Sequence, residues 1–215
     1  MKIPIGIGIW AADDVAIFNK YAQPQDVIAA RPPYLDYLKQ VEIGRKMLNF
    51  NPKDEGTDRG PVIEQAKAMG VEILGYNLEA ALPLDQYIQK ETEAQEAAAQ
   101  ANFFFVFGPT LGNLLKNFDT YVQYADAIIV QSQRFQATAD YLEQTSQIIS
   151  DIRQANPKIE IWVQVSVNPP ENPNISPDQV VSEIQSIADQ ADLIWIFFAP
   201  KMAPAMEEVL QKLRQ

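Results

Sequence analysis

The stretch of sequence that decides the fold runs from residue 159 to residue 198. Residues 159–167 read IEIWVQVSV and residues 193–198 read LIWIFF, two nearly continuous runs of β-branched and aromatic side chains. Such runs are typical of strands that are buried on both faces of a parallel sheet. Between them, Ser176, Pro177 and Gln179 have the form of a capping box, which predicts a helix from Pro177 to about residue 189. The stretch is therefore a strand–helix–strand unit, whose crossover in a parallel sheet is right-handed.

The same alternation of short apolar runs and longer helical patterns extends over the rest of the chain. Further strands are predicted at residues 71–76, 103–107 and 127–130, and less regular ones at residues 3–10 and 46–50. Helices are predicted where apolar residues recur at helical spacing, at residues 62–69, 84–101, 139–154 and 202–213. The prolines of residues 21–33 predict a loop, which is followed by a predicted helix at residues 34–43.

Repeated strand–helix units form either a closed barrel or an open doubly wound sheet. Seven predicted strands in 215 residues favour an α/β fold of the parallel (β/α) TIM-barrel type, near the lower size limit of that architecture and with a strand count that can fall below eight. The alternative is an open doubly wound parallel sheet, which needs only about five strands. Because no linker-like change of composition interrupts the pattern, residues 1–215 are predicted to form one barrel-like domain.

The composition limits the chemistry and the partners that this chain can have. The net charge of −11 disfavours nucleic acid and anionic membrane surfaces, because both repel an acidic protein. The sequence contains neither His nor Cys, which excludes Ser-His-Asp and Cys-His catalysis, zinc held by His, disulfides and iron–sulfur clusters. No metal site and no cofactor are predicted, and any catalysis must use carboxylates, Lys, Tyr, Ser or Thr.

Membrane insertion and export are not expected from the sequence. No apolar run approaches the roughly 20 residues that a membrane-spanning helix needs. The N-terminal residues also lack the small-residue cleavage site of a signal peptide. A cytoplasmic location is therefore the expectation, and the oligomeric state stays open.

Polar side chains stand at the carboxyl ends of several predicted strands, where ligands bind in parallel α/β folds. Glu79 is the carboxylate at a clear strand end and is the candidate general acid or base. The candidate ligand-binding residues at the same ends are Tyr76, Asn77, Gln131, Gln133, Arg134, Gln164, Ser166 and Asn168. Because side chains two residues apart on a strand point to the same face, Gln131 is predicted to share a face with Gln133. Gln164, Ser166 and Asn168 are predicted to share a face in the same way. A mouth lined in this way suits a polar small molecule such as a saccharide.

Hydrolysis of a glycosidic bond normally uses two carboxylates, about 5 Å apart or more. The partner candidates for Glu79 are Asp13 and Asp14 after the first predicted strand, and Asp54 and Glu55 after the second. For each of these four residues a solvated acidic loop is the favoured interpretation.

Two glycine-containing segments match parts of phosphate-binding motifs. Residues 6–11 (GIGIWA) have the letters of a dinucleotide-binding pattern, but too few residues precede Gly6 to form its strand, and Trp10 would crowd a pyrophosphate. Residues 108–113 (GPTLGN) link a predicted strand to a helix, whose first N–H groups can hold an anion. No Lys-Ser or Lys-Thr pair follows Gly112, so a plain strand-to-helix turn is the simpler interpretation.

Residues 48–52 (LNFNP) and 70–76 (GVEILGY) resemble segments of glycosidase-like TIM-barrel proteins of the spherulin type. In that group an Asn-Pro pair ends a strand, and a Gly-x-x-x-Leu-Gly-Tyr run forms the next strand. The resemblance covers about thirty residues and implies a barrel with carbohydrate chemistry. The following strand departs from the group, because residues 105–109 (FVFGP) lack the acidic pair expected there. Residues 125–133 (ADAIIVQSQ) resemble uncharacterised bacterial barrel proteins, from which no function follows.

These observations lead to three functional hypotheses. The first is a glycosidase-like barrel that binds, and in its active form hydrolyses, a saccharide or another polar small ligand. The second is a non-catalytic barrel that acts as a binding or interaction module, which the lack of a second strand-end carboxylate favours. The third is a lyase or isomerase of a phosphorylated metabolite, with Arg134 and residues 108–113 as its anion site.

Overall fold

Eight parallel strands close into a barrel in the computed structural model, which describes residues 3–54, 56–80 and 82–215. In chain order the strands are Ile5–Gly8 (β1), Val27–Ala30 (β2), Arg45–Phe50 (β3), Val71–Leu78 (β4), Phe104–Pro109 (β5), Ala127–Gln131 (β6), Glu160–Ser166 (β7) and Leu193–Phe197 (β8). Each strand pairs with the next, and β8 pairs with β1. The predicted TIM-barrel fold is therefore confirmed with the full eight strands, and the alternative of an open sheet is wrong.

Helices connect the strands. The α-helices are Ala12–Tyr21 (α1), Arg59–Ala68 (α2), Leu84–Ala101 (α3), Leu111–Tyr121 (α4), Tyr141–Ala155 (α5), Pro177–Ile187 (α6) and Ala203–Arg214 (α7). A 3₁₀ helix over Pro32–Gln40 connects β2 to β3. The hydroxyl of Ser176 accepts a hydrogen bond from the N–H of Gln179 at 3.2 Å, which confirms the predicted start of α6. Within the described ranges no helix has the length and apolar character needed to span a bilayer.

The first 45 residues differ most from the sequence prediction. The predicted loop at residues 21–33 contains β2, and the predicted helix at residues 34–43 is the 3₁₀ helix Pro32–Gln40. All four residues of β2 are buried, but so short an apolar segment gives no periodic signal. Pro24 and Pro32 on either side strengthen the appearance of a loop. The sequence prediction therefore fell one strand short.

Side chains along the strands alternate between the helix layer and the barrel interior. Outward-facing residues such as Ile5, Ile7 and Tyr76 belong to the main core between sheet and helices. A second, smaller core consists of Val27, Ala29, Met47, Ile73, Val106, Ala127, Ile129, Trp162, Leu193 and Trp195. We assign this second core to the lumen, because a barrel of eight strands is just wide enough to be filled by side chains.

Three aromatic rings, contributed by β5, β7 and β8, stack on one another in this inner core. The ring centroids of Phe104 and Trp162 are 6.4 Å apart with planes 15° apart, and those of Trp162 and Trp195 are 6.1 Å apart with planes 10° apart. Gly6 provides space for the stack, since a Cβ atom there would lie 2.3 Å from Cε3 of Trp195. A Cβ atom at Gly8 would meet no atom within 4 Å. Gly6 thus serves the packing of the barrel, whereas Gly8 borders open space at the carboxyl end of β1.

Three aspartates that directly precede even-numbered strands hold the backbone of the neighbouring odd-numbered strand. A carboxylate oxygen accepts a backbone N–H at 2.7–2.8 Å in the pairs Asp26 with Ile5, Asp126 with Phe105, and Asp192 with Ile161. Asp26 also forms a buried ion pair with Arg214 of α7, whose Nη2 atom lies 2.6 Å from each carboxylate oxygen. Hydrogen bonds to charged acceptors are the strong ones, so these carboxylates fix the amino-terminal rim of the barrel.

One carboxyl group lies in the helix layer without any hydrogen-bond partner in the described part of the chain. Glu91 of α3 is fully buried, and neither of its carboxyl oxygens is hydrogen-bonded. Burial raises the pKa of Glu91 to about 9. The side chain is therefore protonated at neutral pH, because the charged form would lack solvation.

We expect Gly6→Ala and Gly8→Ala to differ in stability, although the two residues are neighbours on the same face of β1. The methyl group at position 6 collides with the ring of Trp195, and such overpacking lowers the free energy of unfolding by about 1–3 kcal/mol. The methyl group at position 8 enters open space and changes that free energy by less than about 0.5 kcal/mol. Urea unfolding followed by tryptophan fluorescence measures both variants. Equal free energies of unfolding would contradict the packing of Trp195 over Gly6.

We expect Glu91→Gln to stabilise the fold increasingly as the pH rises above 4.5, the ordinary pKa of a glutamate carboxyl. Between that pH and about 9 the unfolded chain releases the Glu91 proton while the folded chain retains it, so wild-type stability falls with rising pH. The glutamine variant lacks this loss and should gain about 1–3 kcal/mol at pH 8. Thermal and urea unfolding between pH 4 and pH 8 measure the difference. Glu96→Gln, on the exposed side of α3, is the control, and a pH-independent difference for Glu91→Gln would refute the assignment.

Candidate active site

A cavity of about 460 Å³ lies at the carboxyl ends of the strands. Gly8, Ala29 and Trp195, which come from β1, β2 and β8, border it. The volume falls within the usual range for small-molecule sites, and the carboxyl ends of the strands carry the ligand sites of TIM barrels. The cavity is therefore the candidate active site.

Aromatic side chains form one part of the cavity wall. Trp195 and Phe197 of β8, together with Phe198, line the cavity beside Trp10, which follows β1. The indole N–H of Trp10 donates to the carbonyl oxygen of Phe198 at 2.9 Å, which joins the segments after the first and last strands. This part of the wall is therefore largely apolar.

Amide side chains form another part of the wall. Asn49 and Asn51 come from the end of β3, Asn77 from β4, Gln164 from β7, and Gln133 from the turn after β6. Gln164 is only 6% exposed. The side-chain oxygen of Gln133 is buried without a hydrogen-bond partner among the described residues. Because buried polar groups are normally hydrogen-bonded, this oxygen is a group that a ligand or an ordered water can satisfy.

Glu79 lies just beyond β4. Among the described residues it is the one carboxylate that lines the cavity. Its Oε1 atom accepts hydrogen bonds from Nδ2 of Asn77 at 3.2 Å and from Nε2 of Gln131 at 3.1 Å. Nε2 of Gln131 also donates to Oδ1 of Asn77 at 3.4 Å. The Oε2 atom has no such partner in the described chain. The two amides thus orient the carboxylate and leave one of its oxygens for a ligand.

Two cationic side chains border the cavity as well. Arg31 forms an ion pair with the buried Asp54, with Nη2 and Oδ1 2.7 Å apart. Asp54 also accepts the backbone N–H of Asn51 at 2.9 Å, so the pair fixes the turn after β3. Lys53 in the same turn is exposed, lines the cavity and forms no ion pair within residues 3–54, 56–80 and 82–215. Its ammonium group can therefore bind an anionic group of a ligand.

The structure brings five of the nine predicted site residues close to the cavity. Glu79, Asn77, Gln133 and Gln164 line it, and Gln131 holds Glu79 in place. Arg134 is exposed and lies in a neighbouring surface depression of about 550 Å³ that also includes Glu79, Thr110 and Asn113. Thr110 caps α4 by accepting the N–H of Asn113, as a plain strand-to-helix turn does.

The structure places the other three predicted residues elsewhere. Tyr76 is buried in the outer core, where it packs against Phe107 and lies under the guanidinium of Arg59. Ser166 and Asn168 hydrogen-bond to each other and do not line the cavity. The predicted shared face of Gln131 and Gln133 is also interrupted, because β6 ends at Gln131 and a 3₁₀ turn begins at Ser132.

Several cavity residues were not predicted from the sequence. They are Gly8, Ile9, Trp10, Ala29, Arg31, Asn49, Asn51, Pro52, Lys53, Trp195, Phe197 and Phe198. The alternation Asn49-Phe50-Asn51 at the end of a predicted strand was the signal that could have identified the two asparagines. Trp195 gave no such signal, because its strand is apolar on both faces and the sequence does not show which side chains point inward.

The carboxylates proposed as partners of Glu79 have other roles where the structure describes them. Asp14 accepts the backbone N–H groups of Trp10 and Ala11 at the start of α1, and Asp13 is exposed. Asp54 is paired with Arg31, and Glu55 lies outside the described residues. The described residues also contain no group of three or more acidic side chains that could hold a metal ion. The geometry that two-carboxylate hydrolysis needs is therefore not found in the described part of the mouth.

The fold and the cavity define a TIM barrel with a candidate site at its mouth. No protein-family model and no curated protein matches the chain. Among solved structures it is similar to the thiamine phosphate pyrophosphorylase of Pyrococcus furiosus, with a TM-score of 0.55 and 13% identity over 100% of this chain and 98% of that one. It is also similar to the N-terminal domain of a Bacteroides vulgatus protein described as an aldolase (TM-score 0.60, 11% identity, 99% and 80% of the chains). A Pediococcus acidilactici protein described as a lactate oxidase gives a TM-score of 0.59 at 11% identity over 97% and 68% of the chains. At these identities the similarity establishes the fold alone.

We expect Arg31→Met to lower the free energy of unfolding by about 2–4 kcal/mol, because it leaves the buried Asp54 carboxylate without its counter-ion. Urea unfolding measures the loss, and Arg31→Met combined with Asp54→Asn should recover part of it. The matched control is Lys39→Met, which breaks the exposed ion pair with Asp36 and should cause no measurable loss. Equal effects of Arg31→Met and Lys39→Met would show that the pair does not hold the turn after β3.

Proposed function

We propose that this protein is an enzyme that binds a polar small molecule in the mouth cavity and transfers a proton with Glu79, as lyases and isomerases do. The proposal rests on the hydrogen bonding of the Glu79 carboxylate. Two amides hold one oxygen, and the other oxygen has no partner among the described residues at the edge of the cavity. A positioned carboxylate with one free oxygen is suited to act as a general base.

One carboxylate is sufficient for this chemistry. Glu79 removes a proton from a carbon next to a carbonyl group, and the electron pair of the C–H bond moves onto the carbonyl oxygen. In an isomerase the proton returns to the adjacent carbon atom, whereas in a lyase the carbonyl group re-forms and a β-oxygen substituent leaves with the electron pair of its C–O bond and takes up the proton from Glu79. The amide N–H groups of Gln164 and Asn49 and the ammonium of Lys53 can stabilise the developing negative charge.

Two further observations support a phosphorylated substrate. Glu79 borders both the cavity and the depression that contains Arg134, and no ion pair of Arg134 is found in the described chain. A substrate whose phosphoryl group binds at Arg134 would therefore have its remaining atoms within reach of Glu79. An aldolase and a thiamine phosphate pyrophosphorylase among the similar structures are consistent with this chemistry.

Saccharide binding is the second candidate function, with or without hydrolysis. The combination of aromatic faces and amides in the wall supports it, because sugars present both apolar C–H faces and hydroxyl groups. Hydrolysis of the glycosidase type stays a prediction that lacks a second carboxylate in the described mouth. A non-catalytic binding barrel would share this cavity and use Glu79 only as a hydrogen-bond acceptor.

Hydrogen exchange in D₂O tests the proposal whatever product the reaction forms. We expect the protein to exchange a C–H proton of at least one compound in a panel of sugar phosphates, 2-oxo acids and free monosaccharides, as followed by ¹H NMR. Glu79→Gln should slow that exchange by about 10²–10⁴-fold, the usual contribution of general base catalysis.

Glu72→Gln, an exposed change on the same strand, is the matched control and should leave the exchange rate unchanged. Exchange that persists in Glu79→Gln would show that another group is the base. Binding of a panel compound without any exchange would favour the non-catalytic barrel.

A further inference from the structure

The stack of aromatic rings in the barrel ends at the mouth cavity. The near-parallel rings of Phe104, Trp162 and Trp195 form a continuous series, and the guanidinium of Arg45 lies 5.7 Å from the centroid of Phe104 at the other end. Trp195 is the member of this series that lines the cavity. A planar ring bound in the cavity could therefore continue the series as its fourth member.

Small residues keep the space beside Trp195 open. Gly8 and Ala29 are paired in register on β1 and β2, and both line the cavity. A Cβ atom at Gly8 would meet nothing within 4 Å. The cavity therefore has room for a flat group next to the indole of Trp195.

Two glutamine side chains line the same cavity as Trp195. Gln164 is paired in register with Trp195 and is only 6% exposed. The side-chain oxygen of Gln133 is buried without a hydrogen-bond partner among the described residues. A carboxamide presents a donor and an acceptor side by side, which match the donor and acceptor on the edge of a nitrogen heterocycle. An aliphatic ligand would leave these groups unsatisfied, at a cost in binding free energy.

We propose that Trp195, Gln164 and Gln133 form a recognition site for a planar nitrogen heterocycle that carries adjacent hydrogen-bond donor and acceptor groups, as nucleobases do. The ring stacks on Trp195 and its polar edge pairs with the two glutamines. This inference deepens the proposed function and rests on it, because it names the part of the ligand that anchors it while Glu79 acts on another part.

Direct binding measurements on the wild-type protein test the site. The probes are adenine, cytosine, uracil and nicotinamide, with indole as a ring that lacks the paired edge groups, and glucose and mannose as saccharides. Saturation-transfer NMR and calorimetry should show binding of at least one nitrogen heterocycle that is about tenfold or more tighter than that of indole or either sugar. Preferential binding of the sugars, or equal binding of indole and the heterocycles, would overturn the inference.

Four variants localise the binding. Trp195→Leu should weaken heterocycle binding by about tenfold or more, the loss that removal of one stacking aromatic group causes, and Trp195→Phe should restore most of it. Gly8→Leu fills the cavity from an open position and should abolish binding even if Trp195→Leu fails to fold. Gln164→Leu should reduce the preference for heterocycles over indole. Leu142→Ala, at an exposed site on α5, is the control, and heterocycle binding that survives Gly8→Leu would place the ring outside this cavity.

Failure of this inference can be distinguished from failure of the proposed function. Proton exchange without heterocycle preference would refute the ring site and leave Glu79 as the base. Heterocycle binding that depends on Trp195, without exchange on any panel compound, would support the ring site and refute the proton-transfer proposal.

Discussion

Trp162 and Trp195 lie in the lumen of the barrel with their ring planes 10° apart, and Gly6 leaves the space that Trp195 occupies. The inner side chains of an eight-stranded barrel must fill a fixed width, so two indoles there require small residues elsewhere on the inner face. Gly75 meets the same need on β4, since a Cβ atom there would lie 1.9 Å from the methyl group of Met47. Beyond Trp195 the side chains on β1 and β2 stay small, and the cavity begins. The packing that makes the barrel solid therefore also sets the depth of the candidate site.

The two ends of the barrel satisfy their polar groups in different ways. At the amino-terminal rim the carboxylates of Asp26, Asp126 and Asp192 accept backbone N–H groups, and Arg214 neutralises Asp26. At the carboxyl-terminal mouth, the side-chain oxygen of Gln133 is buried without a partner in the described chain. In TIM barrels the amino-terminal end generally serves stability and the carboxyl-terminal end serves function. The contrast between satisfied and unsatisfied groups in this barrel follows the same division.

The sequence alone was sufficient for the fold class but only for part of the site. Long apolar runs such as residues 159–167 identify strands whatever their surroundings, whereas the four residues of β2 become a strand only through pairing with β1 and β3. Asn77, Glu79, Gln131 and Gln164 could be predicted because polar residues at the ends of buried strands are conspicuous. Tyr76 was grouped with them although it lies one residue out of phase with Asn77, which turns its side chain to the outer core. Trp195 could not be predicted, because an apolar strand does not reveal its inner face.

The absence of His and Cys leaves carboxylates, Lys, Tyr, Ser and Thr for any acid–base chemistry, and the described mouth offers Glu79. This side chain is exposed, and Asn77 and Gln131 hold one of its oxygens. A ligand that occupies the cavity displaces water from the other oxygen and strengthens every electrostatic interaction inside the site. The amides that hold the first oxygen keep the carboxylate from turning away during this change. Under the proposed function, binding at Trp195 and activation of Glu79 would be coupled, because an occupant that contacts Gln164 would also exclude water from the base.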